Sequence, residues 1–226
     1  MKYCYVIGDS FFSAEPNNWL EQGIPEDYTV VNQAIGATGF WRQLQQVKDL
    51  YKSPHYNDIE YCIVGWSHPF RIYAPEYARD WKPFDPLSCD EQFFKTTKPV
   101  HKDKRLAVAN AIKHDILNEK RECEKALDLL FYIDLHLYKK MNHIKFINFF
   151  CFDWDFVSSV DNFYFTNGIN VKPNFFKLTT AHEPNPDKRI TADIPNHFTI
   201  QEHKMIGEKL NKILTGKTDT VVWLSK

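Results

Sequence analysis

Cysteine is sparse and unpaired here. Five cysteines (4, 62, 89, 123 and 151) form no Cys-x-x-Cys pair and are odd in number, a pattern that suits a reducing compartment rather than a disulfide scaffold. Charge bias is missing as well: 28 Lys and Arg stand against 29 Asp and Glu, a formal net charge of −1, with the signs interspersed. That excludes the electrostatic footprint of a nucleic-acid binder. No apolar run approaches the roughly 18 residues of a membrane span, because the longest candidate, Ile144 to Phe152, is interrupted by Lys145 and Asn148. The nine histidines form no HExxH motif and no paired Cys/His spacing, so no metal is expected. No cofactor is expected either. A nucleotide-binding turn would need GxGxxG or a P-loop lysine after the first strand, and both are missing.

What remains describes a single soluble domain. A length of 226 residues suffices for one sizeable α/β domain and is short for two. Aromatic residues make up 15% of the chain, enough to fill a core and leave rings for a binding surface. The chain is organised around its first dozen residues. Lys2 to Ile7 reads as a β-strand, ending in the polar turn Gly8-Asp9-Ser10, which leaves a hydroxyl at the carboxyl end of a strand. In open α/β sheets ligands bind along that edge. A strand that begins at Lys2 leaves no room for a signal peptide, and a cytoplasmic location is the expectation.

Further strands are predicted over Tyr28–Asn32, Ile59–Val64 and Lys145–Phe152, with a helix from about Phe40 to Tyr51 burying Trp41, Leu44, Val47, Leu50 and Tyr51. A helical stretch spans Arg105 to Met141, with a break near Asn118, and an amphipathic helix spans Phe198 to Leu214 with Thr199 as its cap. Residues 157–195 read as loop, and the tail Val221 to Leu224 as an edge strand or a docked segment. An aromatic-rich insertion occupies about 66–104, too long for an ordinary connection. Strands alternating with helices imply a mainly parallel, doubly wound sheet.

Four short blocks, in this order and spacing, resemble the SGNH (GDS-type) hydrolases, a superfamily of esterases, lipases and carbohydrate acetylesterases. They are Gly8-Asp9-Ser10, Gly36 within Asn32-Gln-Ala-Ile-Gly-Ala-Thr-Gly39, Gly65-Trp66-Ser67, and the segment around His197. The resemblance is sparse but runs over most of the chain. It implies a flavodoxin-like three-layer α/β/α sandwich and a serine esterase. Ser10 would attack an ester carbonyl, His197 would act as base and then acid, and Asp193 would orient the imidazole. The backbone N–H groups of Ser10 and Gly36 would receive the oxyanion.

Two positions depart from the family pattern. Ser67 stands where the family carries an asparagine donor, and a hydroxyl has only one proton to give. The acid also lies further ahead of His197 than is usual in the family, at Asp193, which leaves Asp153 in reserve. Asp9 organises the turn and, with Trp66 and Arg71, is a candidate for substrate contact; Arg71 is equally a buried structural arginine. His203 reads as a helix-surface residue and His182 as a loop residue. The substrate expected is a small acyl ester, such as O-acetyl on a carbohydrate. Acyl transfer to a sugar by the same residues, or a catalytically weak module that binds glycan or protein, are the alternatives. Neither nucleic acid nor membrane is an expected partner, and the oligomeric state is left open.

Overall fold

The computed structural model describes residues 1–12, 19–35, 39–67, 119–151, 165–172, 198, 200–217 and 221–222. The order of elements is β1 (Lys2–Ile7), a 3-10 turn (Ser10–Phe12), α1 (Trp19–Gly23), β2 (Tyr28–Asn32) and α2 (Phe40–Asp49). There follow β3 (Ile59–Trp66), α3 (Glu119–Tyr132) running into a π-helical turn (Ile133–Tyr138), β4 (Lys145–Phe150), β5 (Gly168–Lys172), α4 (Ile200–Leu214) and β6 (Val221–Val222). The strands form one sheet in the order β2-β1-β3-β4-β5-β6, and every pairing is parallel. This is the flavodoxin-like order, and β6 adds a two-residue edge.

Alternation along the strands sends side chains into two cores, as the two-residue period of a strand requires. Cys4, Val6, Tyr61, Ile63, Ile147 and Phe149 face one layer, with Trp19 and Leu20 of α1 and Ile206, Leu210 and Ile213 of α4. Tyr5, Ile7, Cys62, Val64, Trp66 and Phe146 face the other, with α2 and α3. The central strands are buried on both sides, which is why β3 reads as a near-continuous apolar run. Burial pushes the Cys4 thiol up to about 12, and burial with Cys4 beside it raises Cys62 as well. Both are inert neutral thiols in the fold.

α1 and α4 meet through glycine. A Cβ on Gly23 would lie 2.8 Å from the Gly207 carbonyl oxygen, and one on Gly207 would lie 2.9 Å from Gln22 Cβ. The Asn211 side-chain amide donates to the Gly23 carbonyl at 3.3 Å. This close approach seats the middle of α4 against the end of α1. No helix among the described residues is long and apolar enough to cross a membrane.

Three expectations need correcting. The buried face of α2 consists of Phe40, Gln43, Leu44, Gln46 and Val47, while Trp41 and Tyr51 are 46% and 41% exposed. The amides win burial by bonding: Gln43 accepts from the Ser67 N–H and Gln46 donates to the Gln33 carbonyl. Within 157–195, Gly168–Lys172 is a strand rather than a loop, hydrogen-bonded beside β4. β3 continues through Gly65 and Trp66, two residues beyond its predicted end. The predicted helix over residues 105–118 and the Thr199 cap lie outside the described residues, as do residues 68–104 of the aromatic insertion.

Candidate active site

In this strand order β1 leads outward to β2 on one side, while β3 leads to β4 on the other. Their carboxyl ends therefore flank the topological switch point, the crevice where doubly wound sheets bind ligands. Gly8-Asp9-Ser10 follows β1 and Ser67 follows β3, and the two are in contact. Ser67 Oγ donates to Asp9 Oδ2 at 3.2 Å, and both residues are fully buried.

The turn that carries Ser10 is fixed from several directions. Phe12 N–H donates to the Asp9 carbonyl at 3.0 Å, and Phe11 N–H donates to Asp9 Oδ1 at 3.1 Å. The indole N–H of Trp19 donates to the Phe11 carbonyl at 2.9 Å. Asn32 Nδ2 donates to the Phe12 carbonyl at 2.9 Å. Below the turn, the Phe12 ring is wedged against two strand-end glycines: a Cβ on Gly8 would approach it to 2.6 Å, and one on Gly65 to 1.9 Å. Phe12 packs edge-on against Trp19 and Phe149. Glycine is needed at 65 because the ring occupies the volume that a side chain would fill.

The segment leading to Gly36 runs beside the end of β1. Gln33 N–H donates to the Val6 carbonyl at 2.8 Å and Ile35 N–H to the Gly8 carbonyl at 3.1 Å. The Asn32 side chain, which already holds the 3-10 turn, accepts from Ala34 N–H at 2.9 Å. Asn32 thus ties the Ser10 turn to the chain entering the Gly36 block. Only its presence in that block marked it in the sequence.

At the far end of the chain, Phe198 is buried and its ring stands 5.4 Å from that of Phe11. These rings are the immediate neighbours of His197 and Ser10 in sequence. His203 is half-buried on α4; its Nδ1 accepts from the Trp19 N–H at 3.2 Å and its ring meets Phe198 edge-on. Accepting at Nδ1 requires a neutral ring at that nitrogen, so His203 joins α4 to the start of α1.

Two candidates for substrate contact, Trp66 and Asp9, are among the described residues, and both are buried. The Trp66 ring is fully buried between Phe40 and Phe165, and its indole N–H donates to Asn148 Oδ1 at 3.0 Å. It packs into the α2/α3 layer. The buried carboxylate of Asp9 accepts from Phe11 N–H and from Ser67 Oγ, which makes it an organiser of the turn. Ser67 was expected to donate to an oxyanion, but its single proton goes to Asp9. Ser10 is described by its backbone. Gly36, Arg71, Asp153, Asp193 and His197 lie outside the described residues.

Sequence reasoning missed Gln43. It is fully buried in the first turn of α2, and its Oε1 accepts from the Ser67 N–H at 2.8 Å. Its only signal was an amide at a position where helical spacing wanted an apolar residue. Away from this edge, a hollow of about 400 Å³ opens at the amino ends of β4 and β5, lined by Tyr61, Asn142, Lys145, Asn167 and Ile213 among others. It lies across the sheet from Ser10.

The class that fold and crevice define is a doubly wound, flavodoxin-like α/β protein with a polar turn at its switch point. No family model and no curated protein matches the chain.

Proposed function

We propose that the protein is a serine esterase of SGNH type, acting on a small acyl ester, with O-acetyl on a carbohydrate as the leading substrate class. The observation that carries this reading is the Phe11–Phe198 ring contact at 5.4 Å. Phe11 follows Ser10 and Phe198 follows His197 in sequence, and a packed pair of their neighbours is what a Ser10–His197 site would require.

In the proposed cycle, Ser10 Oγ attacks the ester carbonyl as His197 takes its proton. The tetrahedral oxyanion is held by the N–H groups of Ser10 and Gly36. His197 then passes the proton to the departing alcohol, leaving an acyl group on Ser10. Water attacks that acyl group with His197 as base, and Ser10 regains its proton as the acid leaves. Asp193 orients the imidazole, with Asp153 in reserve. A cytoplasmic, reducing setting is in keeping with the buried free thiols of Cys4, Cys62 and Cys151.

One observation favours a second reading. The hydroxyl of Ser67 is spent on Asp9, which removes a donor from the oxyanion site and suits a weak or non-catalytic module that binds glycan or protein. Turnover of p-nitrophenyl acetate by the wild type beside Ser10→Ala separates the two. Hydrolysis confined to the wild type supports the esterase, and equal rates contradict it. Sugar acceptors added to an active preparation distinguish transfer from hydrolysis.

A further inference from the structure

Among the buried polar atoms, Gln43 Nε2 finds no hydrogen-bond acceptor among the described residues, although Gln43 is fully buried. A buried amide left with unused donors is uncommon and calls for a reason. Rotating the amide does not relieve it. Oε1 accepts from the Ser67 N–H at 2.8 Å, and a flip would set the NH₂ group against that N–H. The carboxamide is thus locked with its oxygen on the end of β3 and its NH₂ unspent. Through Ser67, whose hydroxyl donates to Asp9, it joins the turn that carries Ser10.

We propose that the Gln43 carboxamide is the side-chain oxyanion donor of this site, supplying to the developing alkoxide the N–H that Ser67 gives elsewhere. The proposal rests on the esterase reading above. Acyl transfer rewards donors that are already oriented and dry before charge develops. Gln43 meets both conditions, since its rotamer is pinned by the Ser67 N–H and water is excluded. Ser67 then has a defined part: its backbone N–H holds the amide oxygen while its hydroxyl holds Asp9, so that one residue braces both the donor and the nucleophile turn. The same arrangement accounts for an amide on the buried face of α2, where an apolar side chain would otherwise pack.

The test uses the full-length chain with p-nitrophenyl acetate as substrate and a fluorophosphonate as probe for Ser10. Gln43→Met removes the donor at similar length. Gln43→Glu keeps an oxygen for the Ser67 N–H and loses the amide donor, so it remains informative where Gln43→Met fails to fold. The expected result is a fall in kcat of about 10²- to 10³-fold with KM nearly unchanged. Phosphonylation of Ser10 should slow in parallel, because the phosphonyl oxygen occupies the oxyanion position. A merely structural amide would lower the melting temperature and leave kcat per folded molecule intact. If Ser10 is required for turnover but the folded Gln43 variant keeps kcat within about threefold, the Gln43 proposal is overturned and the esterase reading stands. If Ser10→Ala turns over as fast as wild type, both fall together.

Discussion

Two buried carboxylates sit at opposite edges of the sheet. At the amino edge, Asp134 of the π-helical turn accepts from Thr166 N–H and Oγ1 and from Asn167 N–H and Nδ2, at 2.7 to 3.2 Å. It clamps the residues that enter β5. At the carboxyl edge, Asp9 clamps the turn that leaves β1, through Phe11 N–H and Ser67 Oγ. Burial and hydrogen bonding are alike at the two places, so neither marks a site by itself. What differs is the surroundings. Asp134 holds a turn between packed elements, whereas Asp9 holds a serine at the switch point of the sheet, beside an amide with donors to spare.

Truncating each carboxylate breaks the comparison most sharply. Asp9→Ala frees the turn that carries Ser10 and should cut turnover by about 10²-fold or more, the cost of misplacing a reacting group by an ångström. Gly65→Ala reaches the same turn from below. Its methyl group would drive into the Phe12 ring, at about 1–3 kcal/mol of overpacking, and turnover should fall as the turn is displaced. Asp134→Ala should cost about 3 kcal/mol or more, since several donors lose one acceptor, yet leave turnover per folded molecule near wild type. Urea melts paired with esterase assays on the same preparations check all three. A rate loss in Asp134→Ala as large as that in Asp9→Ala would erase the distinction.

Ser67→Ala is the finer test. With its hydroxyl committed to Asp9, its loss should cost about 1–3 kcal/mol of stability, with a rate effect well short of that of a lost oxyanion donor. A 10²- to 10³-fold loss in kcat with unchanged stability would return Ser67 to the oxyanion. The smallest effect at neutral pH comes from the thiols beneath both edges. Cys4 is pushed from an ordinary value of 9.0 to about 12 in the fold, so above pH 9 the unfolded chain releases a proton that the folded one keeps. Stability should therefore be intact below about pH 9 and decline toward pH 12, by up to about 1.4 kcal/mol per pH unit for each such thiol. Cys4→Ala would flatten that slope, as melts across this range would show.

Much of the fold was legible because its strands carry a strong local signal. Lys2–Ile7 and Tyr28–Asn32 are found where β-branched and aromatic runs between turn formers predict them. The strand Gly168–Lys172 was not legible. Only Ile169 and Val171 mark it, and it opens on Gly168 directly after Asn167, two residues of turn-forming type. In α2 the apolar count pointed to Trp41 and Tyr51, whereas the buried face is set by amides whose partners lie elsewhere in the chain. The position of Ser67 at a strand end could be read from the sequence. Its bond to Asp9 could not, because the partners are 58 residues apart. Gln43 was hidden for the same reason, since a side chain that bonds across the fold leaves no periodicity.

The central claim is that Ser10 is an activated nucleophile with His197 as its base. Fluorophosphonate labelling followed by peptide mapping measures this directly, on the wild type and on His197→Ala. The account predicts one modified serine, Ser10, in the folded wild type, and labelling slowed by several orders of magnitude in His197→Ala. Label on Ser67 or another serine, or an undiminished rate at Ser10 without His197, would contradict it.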